Sequence, residues 1–287
     1  MTVDPRAVMM FALLVFKAPG AAWGGDASDR TASRFRASAV SKPRRALLES
    51  EALDRLRGLL ASDDPATVLT AVKALGDSGA PNAALPLVEM LGVGAQPPAT
   101  VAALDALKRL RDVSSIEILV LYAGNRGTEI RRHAVEALGT FADGRVVPIL
   151  MDRLGDGAPE VRAAAAQALA TRGEKAAVPR LLALLKRNDA TIVGPLGALA
   201  PLSTLPEIAG LQGSISDDNL ASVLGELLQR QDVSESARLD LVKTLARVPG
   251  AASTTALIEY VGTATGGERR SSKSEAQKII DERGKGE

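Results

Sequence analysis

Cysteine is absent from this 287-residue chain. That removes three chemistries: a disulfide framework, a thiolate nucleophile and a zinc–thiolate site. It is compatible with an oxidising compartment without identifying one. Histidine occurs once, at His133, so the serines around Ser114-Ser115 and Ser271-Ser272 have no histidine to activate them. Aromatic residues make up 2% of the chain, few for the broad surfaces of a β-sheet. Net charge is also missing. The whole chain carries +1, and removing residues 1–24 would leave 33 basic and 33 acidic residues. A neutral chain has no global electrostatic case for nucleic acid. Glycine clusters at 20–25 and 266–267 lack the strand-to-helix setting and the Lys-Ser/Thr of a phosphate loop. The acidic pairs Asp63-Asp64 and Asp217-Asp218 fall at helix starts, where capping explains them.

What the chain does have is Ala, Leu and Val in a repeating order. Ala71-Val72-Lys73-Ala74-Leu75 is followed by Ala103-Leu104-Asp105-Ala106-Leu107. Ala134-Val135-Glu136-Ala137-Leu138 and Ala165-Ala166-Gln167-Ala168-Leu169 complete the series. The closing leucines stand 32, 31 and 31 residues apart. A fixed period of roughly 20–50 residues marks a solenoid. Ala and Leu are the strongest helix formers, and alanines three apart share one helix face. Small side chains there admit a neighbouring helix, and the leucine fills the space beside them. One short helix pair cannot bury its apolar face alone, whereas stacked pairs form a continuous core.

Before the repeats, Ala7–Phe16 is a ten-residue apolar run followed by Lys17, Pro19-Gly20 and small residues to Gly24. That is the layout of a secretory signal peptide over residues 1–24, cleaved after Ala22 or Gly24; an apolar first helix is the alternative. Ten residues are too few to span a bilayer, which takes about 20. Residues 25–43 read as a flexible basic linker. Arg30, Arg34, Arg36, Lys42, Arg44 and Arg45 follow one another with no acid after Asp29, and only Phe35 interleaves them. The alternative is a basic arm that touches an anionic surface. Leucines at three- and four-residue spacing from 44 to 62 predict an N-terminal capping helix.

Four helix pairs follow. The first helices carry the tetrads, and the second cover 82–91, 115–122, 145–154 and 176–186. Asp64-Pro65 and Asp156-Gly157-Ala158-Pro159 predict acidic caps with proline in the first turn. Gly76, Gly92, Gly124, Gly139 and Gly155 are expected as left-handed helix ends. After residue 190 the period drifts. Leu196-Gly197-Ala198-Leu199 reads as a fifth tetrad with Pro195 in the first alanine slot. Leu199 to Leu245 is 46 residues, a phase break filled by an extra helix or a compressed repeat. Helices are expected at 219–229, capped by Asp217 or Asp218, and at 235–248 and 253–261. Residues 264–287 read as a linker and a C-terminal capping helix opened by the capping box Ser272-Lys273-Ser274-Glu275.

Pro159-Glu160-Val161-Arg162-Ala163-Ala164-Ala165 with Ala168-Leu169, and Glu129-Ile130-Arg131-Arg132 with Ala134 and Ala137-Leu138-Gly139, resemble HEAT-like repeats of the bacterial, phycobilisome-lyase type. Val147-Pro148-Ile149-Leu150 and Val178-Pro179-Arg180-Leu181 belong to the same pattern. The resemblance is good over about residues 60 to 190 and poor from 190 to 283. It implies an all-α fold: a right-handed α-solenoid of antiparallel helix pairs, five to six repeats within residues 44–263, with capping helices. It also implies that Arg131 and Arg162 tie a repeat to its neighbour through carboxylates or helix-end carbonyls. First helices would line the convex side and second helices the concave side.

The relatives that act as enzymes need groups this chain lacks. Di-iron hydroxylases of this type use several His-Glu pairs. DNA glycosylases need an aromatic pocket and a basic groove. Lyase-type relatives handle a tetrapyrrole on a partner, and the repeats here offer only Tyr122, Phe141 and Tyr260 for packing. The sequence therefore predicts no catalytic, metal-binding or cofactor-binding residue. It predicts an exported scaffold, periplasmic or secreted and monomeric, that binds a protein partner in a concave groove. The candidate partner-binding residues are Glu89, Glu117, Tyr122, Arg153, Arg180 and Arg187, on or at the ends of second helices. Tyrosine is enriched in binding hot spots. An accessory subunit, lyase-like or chaperone-like, acting on a partner's prosthetic group is the alternative.

Overall fold

The computed structural model describes residues 46–263 and 271–285. The signal segment, the basic arm and the 264–270 linker lie outside the described residues. Everything described with regular structure is helical. Among the described residues fifteen α-helices follow one another: α1 Ser50–Leu60, α2 Pro65–Ser78, α3 Ala84–Val93, α4 Pro97–Leu110, α5 Ile116–Ala123, α6 Thr128–Gly139, α7 Val146–Arg153 and α8 Pro159–Thr171. After these come α9 Val178–Lys186, α10 Val193–Leu199, α11 Leu205–Ala209, α12 Asp217–Gln229, α13 Glu235–Arg247, α14 Ala251–Gly262 and α15 Ser271–Gly284. They form two compact units, divided between Asp112 and Val113.

In the first unit, α2 packs on α4 and α1 lies against α2. Pro65 opens α2, and the Asp64 carboxylate accepts the backbone N–H groups of Ala66 and Thr67. The chain just before α1 is pinned to the start of α3. Leu48 N–H donates to Asn82 Oδ1 and Asn82 Nδ2 donates to Leu48 O, both at 3.0 Å. At the other end Arg57 of α1 pairs with Glu89 of α3 at 3.6 Å. Thus α1 and α3 run side by side in one direction.

In the second unit the first helices form one stack: α6 on α8, α8 on α10, α10 on α12 and α12 on α14. Burial shows why the tetrad recurs. Ala134, Val135, Ala137 and Leu138 are all buried, as are Ala165, Ala166, Ala168 and Leu169. The four buried positions make adjacent rows on one face. Ala74 of the first copy departs from this and is exposed.

The same burial pattern locates the later copies, shows the drift of the period after residue 190, and corrects the register read there. Ile192, Val193, Pro195, Leu196 and Gly197 are buried in α10 and the turn before it. Leu220, Ala221, Val223, Leu224 and Gly225 repeat the pattern in α12. Ser253, Ala256 and Leu257 continue it in α14. Pro195 therefore fills the second alanine slot, not the first, and Leu196 closes the copy. Leu245 belongs to α13, a second helix, so the 46-residue interval compares unlike helices; of the two expected causes, the compressed repeat is the one found. The closing leucines step by 32, 31, 31, 27, 28 and 33 residues along the chain.

Four glycines stand just after closing leucines, and their role is space. A Cβ on Gly76 would lie 2.7 Å from the Ala106 Cβ, and one on Gly139 would lie 2.6 Å from the Ala168 Cβ. On Gly197 it would meet Glu226 Cβ at 2.3 Å, and on Gly225 it would meet Ala256 Cβ at 3.0 Å. The expected left-handed caps at Gly76, Gly92, Gly124, Gly139 and Gly155 are not found; positive φ occurs instead at Gly79, Gly94, Gly173, Gly213 and Gly250. Other caps also differ. Ser216, not Asp217 or Asp218, caps α12 by accepting from Asn219 N–H. Ser272 lies inside α15 rather than capping it. Its N–H donates to Glu235 Oε1 of α13 at 2.8 Å, and its hydroxyl bonds the buried Tyr260 hydroxyl at 2.6 Å. The last helix is held by neighbouring elements rather than by its own box.

Candidate functional site

The faces of the second unit separate into residues that hold repeats together and residues left over. Arg131 grips the next repeat through both carboxylate oxygens of Asp156. Nε donates at 2.9 Å and Nη2 at 2.8 Å, while Nη1 donates to the carbonyls of Asn125 and Arg126. Arg162 repeats the arrangement one unit on. Its Nε donates to Asp189 Oδ2 at 2.6 Å and its Nη1 to the carbonyls of Asp156 and Gly157. This is the inter-repeat role the resemblance implies for both arginines. The series then changes chemistry. Asn188, in the left-handed region at φ 61, accepts Ser216 N–H and Asn219 Nδ2 on its side-chain oxygen, each at 2.9 Å.

Charge-assisted bonds of this kind are the stronger ones, and they fix the acids electrostatically. The hydrogen bonds from Arg131 hold the Asp156 carboxyl below its ordinary range, against the opposing effect of burial. For Asp189, burial pushes the pKa up, but hydrogen bonds from Thr191 and Arg162 outweigh it and the net shift is downward. Asp156 is thus chiefly the acceptor of an ion pair, not the helix cap expected of it. Its one local bond is from Ala158 N–H.

A second set of arginines clips carbonyls of the preceding repeat. Arg172 donates to Phe141 O and to Asp143 O. Arg230 donates to Gly197 O and Ala200 O. These satisfy helix-end acceptors that have no intrahelical donor.

Against this background the candidate residues sort themselves. Arg153 donates to Ala123 O at 3.3 Å and pairs with Asp152 and, at 3.8 Å, with Asp156. Arg180 is exposed and donates to Met151 O at 2.6 Å. Both bridge α5 to α7 or α7 to α9 in addition to facing solvent. Glu117 is exposed and lies 3.4 Å from Arg145. Tyr122 is half-buried, and burial raises its phenol pKa. Glu89 belongs to the first unit and pairs with Arg57. The Arg187 side chain, at the end of α9, has no hydrogen bond or ion pair among the described residues. It lines a polar hollow of about 430 Å³ with Leu154, Arg162, Leu184 and Asp189. Glu117, Tyr122, Arg153, Arg180 and Arg187 thus lie on or at the end of α5, α7 and α9 of the second unit, and Glu89 lies on α3 of the first.

Sequence reasoning passed over two features. Leu121 is 61% exposed on α5, one helical turn from Glu117 and next to Tyr122. Its signal was an apolar residue four positions from a charged one on a short helix. In the first unit, Leu60, Val68, Leu69, Met90 and Pro98 line a largely apolar hollow of about 490 Å³ with Asp63 on its wall. A second hollow of about 320 Å³ shares Leu60, Met90 and Gly94 with it and adds Arg57, Glu89 and Val93. His133 is half-buried in α6, and its Nε2 lies 2.7 Å from Arg132 Nη2, accepting from that donor. Among the described residues no group of three or more potential ligands could hold a metal ion. Among them, too, no helix is long and apolar enough to cross a membrane.

Residues 116–194 match the family of HEAT repeats, the stretch that holds α5 to α9 and both Arg–Asp ties. Similar solved structures include the complex of CpcE and CpcF of phycocyanin lyase from Nostoc sp. PCC7120. It shows 17% identity and a TM-score of 0.35, covering 84% of this chain and 97% of that one. An engineered protein aligns at 17% identity and a TM-score of 0.37 over 82% of this chain and 98% of that one. A designed armadillo repeat protein aligns at 15% identity and 0.35 over 80% and 98%. At these TM-scores none of the three carries an argument. No curated protein matches.

Proposed function

We propose that this HEAT-repeat protein is an exported, non-enzymatic scaffold that binds a protein partner in a groove lined by its second helices. The supporting observation is the exposed Leu121 on α5, beside the half-buried Tyr122 and among charged residues of the 116–194 repeats. An apolar centre with a polar rim is the anatomy of a protein-binding patch, and tyrosine supplies contact area at low entropic cost. Arg187, with no partner of its own, offers a free cation at the edge of the same set of helices. Arg153 and Arg180 contribute charge, but their backbone bonds make them poor choices for a clean test.

The Ala7–Phe16 run supports export, and the absence of cysteine agrees with that destination. The test is capture from envelope and secreted fractions with the intact protein as bait. Leu121→Asp combined with Arg187→Glu is expected to weaken capture of the same partner at least ten-fold while the helical signal stays unchanged. Equal capture would move the site elsewhere. A mature N-terminus at Trp23 or Gly25 is expected, and an intact Met1 in the soluble cytoplasm would remove the export reading. An accessory role on a partner's prosthetic group would instead give the captured complex a ligand-dependent absorbance.

A further inference from the structure

The joined hollows in the first unit have a definite chemistry. Both hollows are lined by Leu60 and Met90, each half-buried, with Val93 91% exposed on the smaller one. Their walls carry two carboxylates: Asp63 on the larger hollow and Glu89 on the smaller. Glu89 is partly offset by Arg57. Asp63 has no hydrogen bond or ion pair among the described residues. The described part of this unit is acidic, with six basic and nine acidic residues between 46 and 112. A complementary ligand has an apolar side chain flanked by cations.

One segment of the chain itself has that composition. Residues 30–45 hold six basic residues and no acid, and their single aromatic stands in Arg34-Phe35-Arg36. The reach is sufficient. The chain enters the fold pinned at Leu48 to the start of α3 by the two Asn82 bonds. The hollows lie at the far end of α3, whose 10 residues span about 15 Å at the α-helical rise. Phe35 is thirteen residues from Leu48, a tether of up to about 45 Å when extended.

We infer that Arg34-Phe35-Arg36 docks in this hollow, with Phe35 on the Leu60–Met90 floor and the two arginines toward Asp63 and Glu89. The arm then covers the apolar surface of its own first unit, and any ligand for that surface must displace it. The docking segment lies beyond Gly24, so it is retained whether or not the signal segment is removed.

The Met90 ε-methyl group reports on this directly, because an aromatic ring held against it shifts its resonance. In the full-length protein with ¹³C-methyl methionine, assigned with Met90→Leu, Phe35→Ala is expected to move the Met90 signal to an ordinary methionine position. Asp63→Lys is expected to move it part of the way. A synthetic peptide of residues 30–45 added to Phe35→Ala is expected to restore the shift, with an affinity that falls as salt rises. An unchanged Met90 signal in Phe35→Ala, with helical content intact, overturns the inference. So does a shift present only at high protein concentration, which would make the occupant a second copy.

Discussion

From α6 to α8 the closing leucines stand 31 residues apart, Gly139 meets Ala168, and Arg131 holds Asp156. From α10 to α12 they stand 28 apart, Gly197 meets Glu226, and Asn188 holds Asn219. Two regions of one stack thus share a buried face and differ in spacing and in the chemistry of the tie. The contraction has local causes. α10 has 7 residues where α8 has 13. Pro195 sits in its first turn, where the missing N–H is harmless, and Pro201 follows its end. α11 has only 5 residues. A repeat can therefore lose several residues without leaving the stack, provided the apolar face and the close-approach position survive.

The shared face is tested by the largest effect. Leu138 and Leu224 are both fully buried closing leucines. Truncation to alanine is expected to cost about 2–5 kcal/mol at either site, read as a fall in the denaturant midpoint at unchanged slope. A negligible change at Leu224 would mean that the contracted region does not share the register of the regular one.

Close approach is the next largest effect, and it separates the regions. A methyl group at Gly197 faces Glu226 Cβ at 2.3 Å, at Gly139 it faces Ala168 Cβ at 2.6 Å, and at Gly225 it faces Ala256 Cβ at 3.0 Å. Overpacking costs typically about 1–3 kcal/mol, while alanine gains up to about 1 kcal/mol over glycine inside a helix. Gly197→Ala is expected to be the most destabilising, Gly139→Ala intermediate and Gly225→Ala near neutral. Thermal midpoints that rank in the opposite order would undo the spacing argument.

How much of this was legible in the residues follows from the same contrast. The four tetrads and the all-helical stack could be read directly, because alanine pairs recur at fixed offsets; the tying role of Arg131 and Arg162 came only through the resemblance to HEAT-like repeats. The fifth and sixth copies could not, because Ile192, Pro195, Leu220 and Val223 stand where alanine was sought. Burial, not residue identity, carries the pattern there. Leu245 misled because second helices bury leucines too. On the candidate face, the bridging of Arg153 and Arg180 was hidden because their acceptors are backbone carbonyls, which every sequence contains. Asp156 was visible as an acid before a helix, yet its partner lies 25 residues earlier. The hollow of the first unit was missed because Leu60 and Met90 each look like ordinary core residues.

The smallest effect distinguishes the ties by pH. Asp156 is held below the ordinary carboxylate range by Arg131. A depressed carboxylate contributes stability that is fully present above its unfolded pKa, about 3.9 for aspartate. That contribution disappears as pH falls through the lower, folded value. The wild-type protein is therefore expected to lose stability steeply below about pH 4. Asp156→Asn removes the charge at neutral pH, at a cost of about 1–3 kcal/mol, and should flatten the acid limb because there is no longer a proton to bind there. Asn188 and Asn219 do not titrate, so Asn219→Ala is expected to lower stability by a similar amount at pH 7 and pH 3.5 while leaving the acid slope as in wild type. Thermal melts of the three proteins across that range decide the matter. Equal slopes for Asp156→Asn and wild type would show that the Arg131–Asp156 pair contributes no pH-dependent stability and that the two regions differ in spacing alone.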